Sequence, residues 1–563
     1  MNSEVFTLIA GGRAGEGIRK AGTAAANLFA RMGRQAFQMD DYPSLIRGGH
    51  NFSVVSTATR PILSHYLKAN LVVAFDQRSV DAHKDHLAEG GVMVYNSDSV
   101  KQGNGVGLAL TTEAKKYANP GLIVGVSSAA ALAAAIGMDK EGLVEFIKAE
   151  YGKGVEDNIR FGSWVYDAVL PKLEGRFPLE RGDRKRALLT GNEAIALGAA
   201  AAGLDLLFAY PMTPASSILH FLAGHADELG LVAVHPENEI GVANMAIGAA
   251  FAGARTMIAS SGGGFALMQE AFSLAGMTEA PLLCVLSSRP GPSTGVPTYT
   301  SQGDLRFALN QGHGEFPRIV ASPGSVEEAF ALAAELLELT WSFQTPAILL
   351  TEKHLSESRV TVEIDPKQAR WAEREEPEGV ASEPGKEGKG LKMDYKRYLD
   401  TTAGVSPLRF PPAQHLIKWN SYEHDELGIT TEDPAKIVRM QDKRRRKGTS
   451  LVEHINSRPA VNVYGDKGKV IMTYGSTTMS VLEALRCGGI EATVVQPVYL
   501  EPLPSRELRK YADSDVTVVE QSSTGLFAEL LRDKAGVTAG RVISRYDGRP
   551  FDPQELAEQL EEA

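Results

Sequence analysis

The sequence predicts a multi-domain α/β protein, on three observations. Short apolar runs of buried-strand length alternate with stretches of helical apolar spacing over most of the chain. At 563 residues the chain is longer than one hydrophobic core sustains, so three or four domains are expected. The alternation breaks between 365 and 455, where Glu373 to Gly390 is charged and rich in Gly and Pro, as a linker or long excursion is. These breaks divide the chain into 1–185, 186–364, 365–455 and 456–563.

The first unit opens with a strand over Val5 to Ala10 that enters Gly11-Gly12-Arg13-Ala14-Gly15-Glu16-Gly17, with a helix starting near Ile18. The glycines do not follow the dinucleotide pattern G-x-G-x-x-G, and Glu16 opposes a phosphate. A structural tight turn and a nucleotide or coenzyme contact both remain open. In the loop Asp40 to His50, Arg47 is followed by two glycines that let a partner approach closely, so it meets an anionic ligand, a neighbouring subunit or solvent. His83 and His86 stand near Asp81 and Asp85 with no third convergent ligand, which predicts an exposed polar face instead of a metal site. Tyr117 to Met138 is the longest uncharged run, but Pro120, Gly121 and Gly125 interrupt it, so a membrane span is not expected. Ser127 to Tyr151 reads as the helical end of this unit.

In the second unit Asn192 to Ala202 is a small-residue helix and Leu204 to Ala209 a buried strand ending in Tyr210-Pro211-Met212-Thr213-Pro214. Ala215 to Leu229 has helical spacing, which makes Thr213 a natural N-cap with Pro214 at the first helical position. A strand end meeting a helix N-terminus favours a carboxylate or phosphate. A second strand, Leu231 to Val234, delivers His235-Pro236-Glu237-Asn238-Glu239 to a helix over Ile240–Ala252. That helix is so poor in polar groups that burial is expected, which puts Glu239 where a charge needs a partner. Glu237 competes with it; a helix-start acid favoured by the dipole is the structural alternative. Thr256 to Ser260 is a strand ending in Ser261-Gly262-Gly263-Gly264. Pro281 to Leu286 is another, followed by a Pro/Gly-dense loop from Arg289 to Tyr299 that reads as an ordered site loop.

Lys443-Arg444-Arg445-Arg446-Lys447 is the one strong basic cluster, either solvated or docked on a partner or anionic coenzyme. The final unit returns to β–α alternation: Val470 to Thr473, a helix over Thr478 to Arg486, Ala492 to Val495, and Val516 to Val519. A formal charge of -11 argues against a general nucleic-acid or anionic-membrane binder. Cys284 and Cys487 are the only cysteines, so an iron–sulfur cluster would have to sit on another chain. The N-terminal residues do not read as a signal peptide, and a cytoplasmic enzyme is expected.

Thr190-Gly191-Asn192-Glu193-Ala194, Tyr210 to Ser216, Glu237-Asn238-Glu239, Arg289 to Gly295 and Gln302-Gly303-Asp304-Leu305 occur in that order. Together they resemble the α subunit of 2-oxoacid:ferredoxin oxidoreductases. The Gly-rich N-terminal region with Arg47-Gly48-Gly49 looks like that family's γ subunit, fused ahead of α. Residues 456–563 look like its transketolase C-terminal-like domain, and the fused layout most resembles 2-oxoglutarate:ferredoxin oxidoreductase.

The resemblance implies a γ-type α/β domain associated with coenzyme A, then a pyrimidine-binding domain of the thiamine diphosphate (ThDP) fold. It implies 2-oxoglutarate, coenzyme A and oxidised ferredoxin giving succinyl-CoA, CO2 and reduced ferredoxin. ThDP would be shared with a β subunit carrying the diphosphate site, Mg2+ and the 4Fe-4S cluster, in a dimer of α–β heterodimers, and this chain alone would be inactive. Glu239 matches the acid that hydrogen-bonds the aminopyrimidine, beside Pro211. Thr213 matches the threonine that meets the substrate, with Tyr210, Arg289 and Tyr299 around it. Where relatives carry Arg or Lys after Gly295-Val296-Pro297-Thr298, this chain has Tyr299. Carboxylate binding then falls to Arg289 or a β-subunit cation. Arg47 and Arg445 are candidates for holding coenzyme A or an interface. Pyruvate or a branched-chain 2-oxoacid is the alternative substrate, and a non-catalytic scaffold or coenzyme-binding subunit the alternative of another class.

Overall fold

The computed structural model describes residues 4–43, 49–373, 395–413 and 415–562. Arg47 and nearly all of the charged stretch Glu373 to Gly390 lie outside the described residues. The fold is three sheets, each flanked by helices, and the sheets trade strands across the chain's units.

The first sheet runs Val106–Leu108, Leu87–Asn96, Ala69–Ala74, Phe6–Arg13, His50–Ala58, Gln35–Asp41, Arg359–Val362, Ala187–Thr190. The last two strands come from the two ends of the 186–364 stretch and pair antiparallel with each other, and Arg359–Val362 pairs with Gln35–Asp41. Strand Phe6–Arg13 passes through Gly11 and Gly12, and the turn that follows is closed from within. The Glu16 carboxylate accepts from the Arg13 N–H at 2.7 Å, the place an anion would take, which favours the structural turn. Burial raises the Glu16 pKa above its ordinary value. The alanine-rich run becomes helix Val126–Ala135, buried along its whole length and packed on helices Ile18–Arg31 and Val155–Leu173.

Two expectations are corrected in this framework. His83 is 1% exposed, with Nε2 3.0 Å from His50 Nε2 and Nδ1 3.1 Å from His86 Nδ1. The expected polar face is a chain of three rings, because strand pairing carries His50 beside Arg13 and onto helix Gln77–His83. Burial pushes the His83 imidazole down to about 3, so it is neutral.

The basic run is not a solvated cluster either. It lies in helix Pro434–Asn456, where Lys443 and Lys447 are buried on the Glu279 carboxylate at 2.8 and 2.7 Å. Arg397 joins them by donating to the Glu279 carbonyl at 2.9 Å, and Arg444 pairs with Glu423 at 2.5 Å. Helical spacing turns Lys443, Arg444 and Lys447 inward, so the run pins this helix to the central unit. Arg445 stays exposed, paired with Asp442, beside a groove of about 840 Å³.

The central sheet runs Tyr499–Glu501, Ile319–Ala321, Pro346–Glu352, Leu282–Ser288, Thr256–Ser260, Leu206–Ala209, Val232–Val234. All are parallel except Tyr499–Glu501, lent by the C-terminal unit. Leu282–Ser288 and Pro346–Glu352 are buried at every position, as strands covered on both faces must be. The third sheet runs Val461–Tyr464, Ala492–Pro497, Lys469–Met472, Val516–Glu520, Ala539–Ser544.

Candidate active site

The central sheet reverses its strand order between Leu206–Ala209 and Thr256–Ser260. The chain leaves the first for Val232–Val234 on one side and returns to the second on the other. Such a switch point opens a crevice at the carboxyl ends of the two strands. The turns leaving them meet there, with the Gly264 N–H 3.3 Å from Met212 Sδ.

Val232–Val234 feeds the same crevice with Glu239, first residue of helix Glu239–Phe251. Asn238 caps the helix, accepting from the Gly241 N–H at 2.9 Å. Glu237 is exposed, whereas Glu239 is 3% exposed, and its Oε1 is buried without a hydrogen-bond partner. A Cβ on Gly264 would stand 2.5 Å from that oxygen, so glycine keeps space beside the carboxyl. A buried carboxylate oxygen without a donor costs several times a typical net hydrogen bond, and no donor for this one stands among the described residues.

The helix behind Glu239 is only half covered, contrary to expectation. Val242, Ala243, Ala246 and Ile247 face the core, but Ile240 is 52% and Met245 46% exposed. Leu267 and Val296 nearby are also exposed apolar side chains. The apolar composition that predicted burial is present, but the outer face of the helix is uncovered among the described residues.

The Thr213 cap is corrected too. The helix starts at Ser216 with Ala215 at the cap position and no side-chain cap, and the Thr213–Pro214 peptide is cis. Asn192 anchors the turn instead, its Nδ2 donating to the Pro214 carbonyl and to Ser217 Oγ, both at 2.8 Å. Thr213 remains at the crevice, its carbonyl accepting from Arg289 Nη1 at 2.8 Å, with Tyr210 and Pro211 exposed at its edge. Asp304 stands behind Arg289, accepting from Ser288 Oγ at 2.8 Å. Burial raises the Asp304 pKa and lowers that of Arg289, each opposed by the other's charge.

Tyr299 is carried further along the loop, to the junction of the first sheet with the C-terminal unit. Its ring lies 5.5 Å from the Arg549 guanidinium. Burial first, then the charge of Asp41, raises its phenol above the ordinary value. The sequence reading assigned no role to Asp304 or Gly264; the glycine run ending a strand was the signal for close approach.

Two family models match this chain: pyruvate ferredoxin/flavodoxin oxidoreductase over residues 7–166, and the thiamine diphosphate-binding domain of pyruvate flavodoxin/ferredoxin oxidoreductase over 197–443. The 2-oxoacid:ferredoxin oxidoreductase subunit alpha of Sulfolobus sp. is 30% identical over 98% of this chain and 96% of its own. The chain belongs to the 2-oxoacid:ferredoxin oxidoreductase α-subunit family. The 2-oxoglutarate synthase subunit KorA of Archaeoglobus fulgidus is 31% identical over 66% of this chain and 98% of its own. A solved 2-oxoglutarate:ferredoxin oxidoreductase from Magnetococcus marinus, with 2-oxoglutarate, coenzyme A and succinyl-CoA bound, superposes with a TM-score of 0.87. It is 27% identical, over 99% of both chains.

In this α subunit the crevice lies within the thiamine diphosphate-binding domain, and its residues fit that cofactor. The orphaned Glu239 Oε1 beside Gly264 suits a ring nitrogen or amino group. No helix among the described residues is long and apolar enough to cross a membrane.

Proposed function

We propose that this α subunit supplies the aminopyrimidine half of a ThDP site that oxidises 2-oxoglutarate with coenzyme A and ferredoxin, giving succinyl-CoA, CO2 and reduced ferredoxin. The observation that carries it is the buried, donorless Glu239 oxygen at the switch point. When bound, ThDP supplies a carbon nucleophile for the keto carbon of a 2-oxoacid. Glu239 holds the aminopyrimidine and moves a proton at Oε1, a task suited to a carboxyl group in a water-poor crevice. Pro211 lines the same edge. Thr213, Tyr210 and Arg289 meet the 2-oxoacid, the guanidinium facing its carboxylate, and Tyr299 anchors the loop that carries Arg289.

The exposed apolar rim of Ile240, Met245, Leu267 and Val296 supports a β subunit seated over the crevice. That subunit brings the diphosphate site, Mg2+ and the 4Fe-4S cluster, in a dimer of α–β heterodimers in the cytoplasm. Contact with coenzyme A is assigned to the 1–185 unit, with Arg47, and to Arg445. The choice of 2-oxoglutarate over pyruvate draws on the full-length likeness to the Magnetococcus marinus enzyme and on the KorA relative.

The test is Glu239→Gln in the reconstituted α–β complex. Turnover should fall roughly 10²–10⁴-fold, the usual reach of a general acid–base group, while the complex still assembles. Near-normal turnover would make Glu239 structural. Within the parent complex, pyruvate turning over faster than 2-oxoglutarate would overturn the substrate choice alone.

A further inference from the structure

The C-terminal sheet has a switch point of its own, between Lys469–Met472 and Val516–Glu520. The chain goes from the first strand to Ala492–Pro497 on one side, and then to Val516–Glu520 on the other. In a doubly wound domain that crevice is where a ligand binds. In this chain it is filled by a side chain from the central unit.

Gln302 comes from the loop between Arg289 and Asp304 and is buried. Its side-chain Nε2 donates to the Tyr474 carbonyl at 2.9 Å, and its Oε1 accepts from the Gln521 N–H at 2.8 Å and from Thr477 Oγ1 at 3.2 Å. Its backbone N–H donates to the Gln521 carbonyl at 2.8 Å, and its carbonyl accepts from the Tyr474 hydroxyl at 3.4 Å. Tyr474 and Gln521 lie on the turns that leave the two switch-point strands. The amide side chain offers a donor and an acceptor on one planar group; ionised glutamate lacks the donor and leucine has neither.

The wall of the crevice is fitted to this guest. Gly475 has φ +60°, and a Cβ there would stand 3.0 Å from Gln302 Nε2 and 3.2 Å from Glu352 Oε1. Glu352, at the carboxyl end of its central strand, accepts from the Ser476 N–H at 2.6 Å and closes the crevice from the other side. Two residues beyond Gln302, Asp304 takes the Ser288 hydroxyl, and the neighbouring Arg289 holds the Thr213 carbonyl. A path of buried and half-buried contacts joins the C-terminal domain to the catalytic crevice.

We infer that Gln302 is a positioning residue that occupies the C-terminal domain's crevice as a ligand would, so that this domain clamps the loop carrying Arg289 and Asp304 and has no small-molecule site of its own. The kinetic consequence rests on the substrate role proposed for Arg289; the clamp itself does not.

The experiment is hydrogen exchange on the assembled α–β complex, comparing the parent with Gln302→Leu and Gly475→Ala. The second variant disturbs the same contact from the opposite wall and serves if the first fails to fold. Losing the buried amide contacts should speed exchange of the amides between Arg289 and Ser301 about tenfold, with strands Lys469–Met472 and Val516–Glu520 unchanged. The KM for the 2-oxoacid should rise about tenfold while that for coenzyme A holds, and Gln302→Leu should add nothing further in an Arg289→Ala background. Unchanged loop protection in both variants, or equal loss of protection in the two strands, would overturn the clamp. Faster loop exchange combined with an Arg289→Ala complex of normal KM would keep the clamp and refute the substrate role of Arg289.

Discussion

Glu352→Gln tests whether the seam between the central and C-terminal domains holds a carboxyl group that resists ionisation. Glu352 is 1% exposed, and burial pushes its carboxyl up to about 7 from an ordinary 4.5, although the Ser476 N–H donates to it. A folded-state pKa raised above the unfolded value means the folded chain binds the proton more tightly. Its contribution is therefore fully present below about pH 4.5 and is lost as the pH rises through about 7. The gap between 7 and 4.5 is worth roughly 3.5 kcal/mol at about 1.4 kcal/mol per pH unit. Glutamine keeps the shape and an acceptor for Ser476 but cannot ionise. The variant should therefore match the parent near pH 5 and exceed it by up to that amount above pH 8. If all 563 residues melt together, about 2.1 cal/mol/K per residue turns this into a Tm gain of about 3 °C. The assay is thermal melting of both proteins between about pH 5 and pH 9. A Tm difference that stays flat with pH, or is larger at the acid end, would refute the reasoning.

Glu279→Ala should cost about 3–5 kcal/mol in urea unfolding, because it strands the buried ammonium groups of Lys443 and Lys447 without their counter-charge. Gly264→Ala puts a methyl 2.5 Å from Glu239 Oε1 and closer still to the buried Ser260 Oγ; it should cut turnover roughly 10²-fold by displacing the carboxyl and cost about 1–3 kcal/mol of stability by overpacking. A Gly264→Ala complex of full activity would show that the space beside Glu239 is not used. Arg289→Lys loses the planar fork that reaches the Thr213 carbonyl, and initial-rate kinetics should show the KM for the 2-oxoacid raised about tenfold with assembly unchanged.

The strands of the central unit are legible because each is a short apolar run closed by Gly or Pro: the apolar run and the strand coincide at Thr256–Ser260, and agree to within two residues at Leu206–Ala209 and Val232–Val234. Glu239 was legible for a related reason, since an acid ahead of an apolar helix must be explained by something other than that helix. The errors share one cause: a local pattern reports which residues want company, not which residues supply it. Helical spacing in Pro434–Asn456 told nothing of Glu279, more than 150 positions away in sequence, whose single carboxylate turns two lysines inward. His50 and His83 lie 33 positions apart, and only strand pairing shows that their rings meet. The Thr213 cap is wrong because the helix begins only at Ser216, with Ala215 at its cap position, and the turn before it is held by Asn192 from the preceding helix.

The fusion of the first unit to the second has a physical reason in the sheets. Arg359–Val362 pairs with Gln35–Asp41 on one side and Ala187–Thr190 on the other, so the first sheet is completed by the strands that bracket the central unit. An edge that would otherwise expose unpaired N–H and C=O groups is closed within the chain. The C-terminal unit lends Tyr499–Glu501 to the central sheet in the same manner. Both exchanges bring their donors toward the loop from Arg289 to Asp304. Thr300 donates to the Gly548 carbonyl at 2.9 Å, Tyr299 lies between Asp41 and Arg549, and Gln302 is held by Tyr474 and Gln521. A Pro/Gly-dense loop with such contacts on three sides pays little entropy when a 2-oxoacid arrives, since the ordering was done during folding. The position of Arg289 is therefore a property of all three units together, and shortening the chain at either end should loosen a side chain that neither end touches.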